Sequence, residues 1–135
     1  MSERTFVALG LPSEPRARLA AATAWLRGQS PGLRPTAPDT WHLTLAFLGP
    51  LDEDGQHAVA GHLARVVARA ASVPAPWLEL DRAGRFGDRV LYVAVRDEPA
   101  GRLAALVDAL RADLAEAGFA LPTTGFQAHI TLARS

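Results

Sequence analysis

Apolar positions along this chain change their spacing repeatedly, and each change predicts an element. Thr5 to Leu9 is apolar and β-favouring and reads as a strand. Ser13 then caps a helix that carries Leu19 and Leu26 and closes at Gly28. A loop punctuated by Pro and Gly, from Gln29 to Asp39, leads into the run Trp41-His42-Leu43-Thr44-Leu45-Ala46-Phe47-Leu48. Asp52 caps a second helix, whose Val59, Leu63, Val66, Val67 and Ala70 form one apolar stripe. Trp77 to Asp81 and Arg89 to Val95 read as strands of a hairpin turning around Gly84 and Gly87. Pro99 opens a third helix bearing Leu103, Leu106, Val107, Leu110 and Leu114 and ended by Gly118. The run Ala128-His129-Ile130-Thr131-Leu132-Ala133 is the last strand. The order predicts two similar α+β halves, each finishing its sheet on one of two related apolar strands.

Those two strands share more than hydropathy. His42-Leu43-Thr44-Leu45 recurs, with one aliphatic exchange, as His129-Ile130-Thr131-Leu132, and the chain has only four histidines. Ordinary residue usage puts an aliphatic-Thr-Leu tail after a given His about once in a thousand, so the coincidence needs a cause. In a strand, residues two apart point the same way. His42 and Thr44 then share one face, with Leu43, Leu45 and Phe47 on the other; His129 and Thr131 share a face, with Ile130 and Leu132 opposite. If both strands face one cleft, two imidazoles flank a single reacting atom with hydroxyl donors beside it.

Such a set suits the breaking of a P–O bond. Imidazole ordinarily titrates near pH 6.5, so one ring can act as general base while another acts as general acid. Threonine hydroxyls can donate to the non-bridging oxygens, where charge grows in the transition state. Arg134 follows five residues after His129, and its fork suits phosphate oxygens. On an extended strand Arg134 would lie on the face opposite His129, so its approach requires a bend after Leu132. Three readings are open: a phosphodiesterase, a non-catalytic nucleotide- or RNA-end-binding module that uses the His/Thr pairs only as phosphate ligands, and a domain in which the motifs are strand packing.

Composition narrows the setting. The 135 residues predict one domain, 49% hydrophobic, with no signal-peptide pattern and no apolar run long enough to span a membrane. Cysteine is absent, which excludes disulfides and thiol chemistry and makes the cytoplasm the expected location. All 14 basic residues are Arg, and the formal charge is zero. A neutral chain is a poor match for a long duplex but is compatible with a basic pocket for one RNA terminus, to which Arg82, Arg85 and Arg89 could contribute from a charged turn. His57 and His62, roughly 140° apart on the second helix, cannot form the i, i+4 pair of a helical zinc site and are expected to face solvent. No metal or cofactor is expected.

The paired motifs resemble those of the two-histidine (2H) phosphoesterase superfamily, and within it the RNA 2′,3′-cyclic phosphodiesterases, also called 2′-5′ RNA ligases. Phe6-Val7-Ala8-Leu9-Gly10-Leu11-Pro12, the run His42 to Gly49, Gly84-Arg85-Phe86 leading into Arg89 to Val93, and His129 to Arg134 carry the resemblance. It implies an α+β fold of two pseudo-symmetric lobes, antiparallel sheet with flanking helices around a central cleft, formed by residues 1–135 as one domain. It further implies that His42 donates a proton to the departing ribose 3′-oxygen and that His129 activates water. Thr44, Thr131 and Arg134 would hold the phosphate, and Phe6 would line the base side of the cleft or belong to the core. The implied substrate is an RNA 3′ end or small cyclic nucleotide, the product a 2′-phosphomonoester, with reversible 2′-5′ ligation by the same groups. No metal, membrane or obligatory protein partner is implied. The chain departs from the family pattern at Ala128, where Pro is usual, and at Ser135, where relatives run on; the C-terminal part of the fold is expected to be missing.

Overall fold

The alternating and helical periods become six strands and three helices in the computed structural model, which describes residues 2–26, 32–70, 77–98, 101–122 and 125–134. In order these are β1 (Glu3–Gly10), α1 (Ser13–Leu26), β2 (Arg34–Pro35), a 3₁₀ turn (Pro38–Thr40) and β3 (His42–Leu51). Then come α2 (Glu53–Ala70), β4 (Trp77–Phe86), β5 (Val90–Glu98), α3 (Arg102–Glu116) and β6 (His129–Arg134). The strand order is β1-β3-β6-β5-β4, with β2 also against β6, so the two motif strands are neighbours. The helix end expected at Gly28, the helix opening at Pro99 and the side chain of Leu26 lie outside the described residues.

The chain divides into two compact units, and neither is a half of the sequence. The first gathers Met1–Val7, Leu45–Glu79 and Asp97–Phe126. Its centre is the packing of α2 on α3: Val59 and Val66 meet a face of α3 on which Leu103, Val107, Leu110 and Leu114 are at most 1% exposed. Burial of each such side chain contributes about 1.5–3 kcal/mol. Val67, expected in the stripe, is 50% exposed, because it stands one residue round the helix from Val66. Asp52 caps α2 as expected, its Oδ1 accepting from Gly55 N–H at 2.8 Å. The start of α3 is capped from a strand. Both carboxylate oxygens of Asp97 accept from its first turn, from Leu103 N–H at 3.0 Å and Ala104 N–H at 2.9 Å, which also places negative charge at the positive end of the helix dipole. Gly118 ends α3 at φ 99°, with Phe119 N–H returning to the Leu114 carbonyl. His62 corrects its solvent-facing expectation: its side chain is 19% exposed and its Nδ1 lies 2.7 Å from Asp113 of α3, because it falls one turn beyond Val59 on the packed face. His57, with a side chain 78% exposed, faces solvent as expected.

The second unit gathers Ala8–Thr44, Leu80–Arg96 and Gln127–Ser135. The segment expected as plain loop carries structure. Arg34 and Pro35 pair antiparallel with Arg134 and Ala133, and Thr36 N–H continues the ladder to the Leu132 carbonyl at 2.9 Å. The 3₁₀ turn then delivers Trp41, 4% exposed, whose Nε1–H donates to Thr36 Oγ1 at 2.8 Å. The hairpin also differs from expectation. β4 runs through Gly84 to Phe86, and the turn is confined to residues 87–89. Gly84 lies inside the strand because Tyr92 of β5 lies across it: a Cβ there would be 2.5 Å from the Tyr92 hydroxyl oxygen.

Candidate active site

The two motifs share a burial pattern as well as letters. In both β3 and β6 the first five residues run partly exposed, buried, partly exposed, buried, buried. Leu43 pairs with Ile130, at 3% and 2% exposure, so this apolar pair forms a floor. Continuing the antiparallel register one residue each way sets His42 beside Thr131 and Thr44 beside His129. Each histidine therefore stands across the ladder from the threonine of the other motif.

The double burial at the end of each pattern marks a slip in alternation. In β6 its cause is visible: Leu91 and Tyr92, adjacent on β5, face Ala133 and Thr131, leaving Leu132 as the extra residue of a bulge. A bulge shifts the phase of every later side chain by one position. Arg134 is thereby returned to the face of His129 and Thr131, which is the bend that a regular strand lacked. In β3, Leu45 and Ala46 are both buried. Phe47, expected on the face of Leu43 and Leu45, is instead partly exposed, with the Arg4 guanidinium 5.3 Å from its ring centre.

A cleft of about 310 Å³ opens on this face, lined by Thr36, Thr40, His42, Thr44, His129, Thr131 and Arg134. Among the described residues no carboxylate lines it, so an anion entering it meets donors and positive charge. Two lining residues, Thr36 and Thr40, were not singled out from the sequence. Thr36 Oγ1–H donates to the Leu132 carbonyl at 3.1 Å and accepts from Trp41, and Thr40 Oγ1–H donates to the Ala37 carbonyl at 2.6 Å. Their hydroxyl protons are committed to holding the wall. Among the described residues, Thr44, Thr131 and Arg134 make no side-chain hydrogen bond or ion pair, so their donors remain for a ligand.

Both histidines are tethered alike. His42 Nδ1 is 2.7 Å from the Thr40 carbonyl, and His129 Nδ1 is 2.7 Å from the Gln127 carbonyl. A carbonyl oxygen only accepts, so Nδ1 carries a proton in each ring and the tether occupies Nδ1 rather than Nε2. Phe86 and Tyr92 stack in parallel with ring centres 4.3 Å apart, and both meet the His129 ring nearly perpendicular, at 5.2 and 5.5 Å. This aromatic wall fixes the plane of His129 from the side that the tether leaves free. Phe6 is 44% exposed on β1, so it is not core, and it is not among the lining residues. Among the described residues, no three His, Asp or Glu side chains converge so as to hold a metal ion, and no helix is long and apolar enough to cross a membrane.

Known proteins resemble this chain in sequence and in fold. An RNA 2′,3′-cyclic phosphodiesterase of Escherichia coli (strain K12) is 35% identical over 133 residues, which are 98% of this chain and 72% of that protein. One of Thermotoga maritima is 30% identical over 135 residues, covering 97% of this chain and 69% of that protein. The crystal structure of E. coli LigT complexed with 3′-AMP superposes with a TM-score of 0.81 at 32% identity, covering 99% of this chain and 74% of that one. This likeness carries the α+β antiparallel fold expected from the sequence. The sequence pattern of the 2′-5′ RNA ligase superfamily matches residues 11–135, and the chain belongs to that superfamily.

Proposed function

We propose that this chain is an RNA 2′,3′-cyclic phosphodiesterase, opening the cyclic phosphate to a 2′-phosphomonoester without a metal ion. The supporting observation is the pair of imidazoles lining one cleft with Thr44, Thr131 and Arg134, each ring oriented by an Nδ1 tether to a backbone carbonyl. In this reading His129 Nε2 takes a proton from water as its oxygen attacks phosphorus. The P–O3′ bond breaks, and His42 Nε2–H gives its proton to the departing 3′-oxygen. Thr44, Thr131 and Arg134 hold the non-bridging oxygens as charge accumulates there. With the 5′-hydroxyl of a second RNA in place of water, the same acid and base yield a 2′–5′ linkage. The cytoplasm is the compartment that a cysteine-free chain suits.

The test is hydrolysis of a short RNA ending in a 2′,3′-cyclic phosphate, with chelator present and the product isomers resolved. General acid and general base each contribute about 10²- to 10⁴-fold, so His42→Ala and His129→Ala should each lose at least about a hundredfold in kcat. Ligand affinity should largely remain in both. Turnover abolished by chelator, or a 3′-phosphate product, would refute the reading. Binding without turnover in the wild-type protein would leave a binding module.

A further inference from the structure

Arg34 lies directly across the ladder from Arg134. Cross-strand partners stand on the same face of a sheet, with Cβ atoms about 5 Å apart. Alternation along the chain gives the same placement independently. Thr36, two residues on, lines the cleft, and residues two apart in extended backbone share a face. Arg34 is exposed and is not itself a lining residue, so it stands just beyond the rim at the Arg134 end.

Like charges directly opposite one another weaken a ladder. Among the described residues neither arginine has an acidic partner. The formal charge of the chain is zero, so the pair is not a by-product of a generally basic surface. Two guanidiniums side by side, one inside the cleft and one outside, match two successive phosphates of one strand.

We propose that Arg34 binds the phosphodiester upstream of the cyclic end, which makes an oligonucleotide, rather than a free cyclic mononucleotide, the preferred substrate. The inference rests on the phosphodiesterase reading above. Arg134 serves the phosphate that reacts; Arg34 serves its neighbour and touches nothing that changes in the reaction.

The experiment compares a tetranucleotide ending in a 2′,3′-cyclic phosphate with a nucleoside 2′,3′-cyclic monophosphate, using wild type and Arg34→Gln. The variant should raise KM for the tetranucleotide about tenfold with kcat unchanged, the effect of losing one charge-assisted hydrogen bond. Hydrolysis of the mononucleotide should be unaltered. The slope of log(kcat/KM) against log salt for the tetranucleotide should become shallower by about 0.7, one phosphate contact of a single strand. The melting temperature should stay level or rise, since a repulsive pair is removed; a fall would mark a structural role. Equal loss on both substrates, or loss on neither, overturns the proposal. Should wild type hydrolyse neither, the phosphodiesterase reading fails by itself. Fluorescence anisotropy with a tetranucleotide 3′-phosphate and a nucleoside 3′-phosphate then decides Arg34, by whether Arg34→Gln weakens only the longer ligand.

Discussion

Gly84→Ala should damage catalysis through a residue that touches no substrate. The added Cβ would lie 2.5 Å from the Tyr92 hydroxyl oxygen and 2.6–2.7 Å from its ring carbons, where ordinary contact begins at 3.4 Å. Tyr92 must therefore retreat by about an ångström, and Phe86, stacked on it at 4.3 Å, moves with it or loses the stack. Overpacking of this kind costs about 1–3 kcal/mol, which for a domain this size lowers the melting temperature by about 3–10 °C. The functional effect comes from His129, whose ring is held edge-on by both aromatics. A catalytic group displaced by about an ångström can lose about a hundredfold in rate, so kcat should fall about ten- to a hundredfold with KM little changed. The assay pairs steady-state hydrolysis of an RNA cyclic-phosphate end with thermal melting followed by circular dichroism. Adding Tyr92→Leu to Gly84→Ala should restore the melting temperature, since the clash is gone, and leave kcat low, since the wall is gone too. Wild-type kcat in Gly84→Ala, or in Tyr92→Leu alone, would refute the argument.

Other perturbations separate folding from chemistry. Asp97→Ala removes both acceptors at the start of α3; it should cost about 1–2 kcal/mol in urea unfolding and leave kcat nearly intact. Arg134→Lys keeps the charge and loses the fork, and kcat/KM should drop about tenfold or more; equality with wild type would mean that charge alone suffices. The kcat/KM profile should be bell-shaped in pH, as the proposed pairing of one general acid with one general base requires. A monotonic rise would count against paired acid–base catalysis.

Part of the candidate site was legible because the repeat states it twice: strand alternation alone puts His42 with Thr44 and His129 with Thr131, while the β3–β6 pairing brings both pairs to one cleft. Local rules also set the Asp52 cap and the Gly118 stop. Missing information was of one kind, contacts between residues far apart in sequence. Thr36 joins the wall through the Leu132 carbonyl, 96 residues away. His62 turns inward because α3 offers Asp113, and Gly84 belongs to a strand because β5 lays a tyrosine over it. Arg134 is intermediate. The need for a bend was readable, but locating the extra residue took the β5 register, although two adjacent apolar residues, Leu132 and Ala133, are a signal that alternation fails there.

The carbonyl tethers on His42 and His129 have a consequence for the cycle as a whole. A peptide oxygen cannot accept a proton outright, so neither tether can take the charge off its ring. After one proposed turnover the proton that left His42 is in the product, and the proton taken from water is on His129. The free enzyme then exists as two proton isomers, one ready to hydrolyse and the other ready for the reverse direction. Exchange with solvent or buffer converts one into the other. At high substrate the resetting step, not bond cleavage, can limit the rate, and turnover should then quicken with buffer concentration at constant pH and ionic strength.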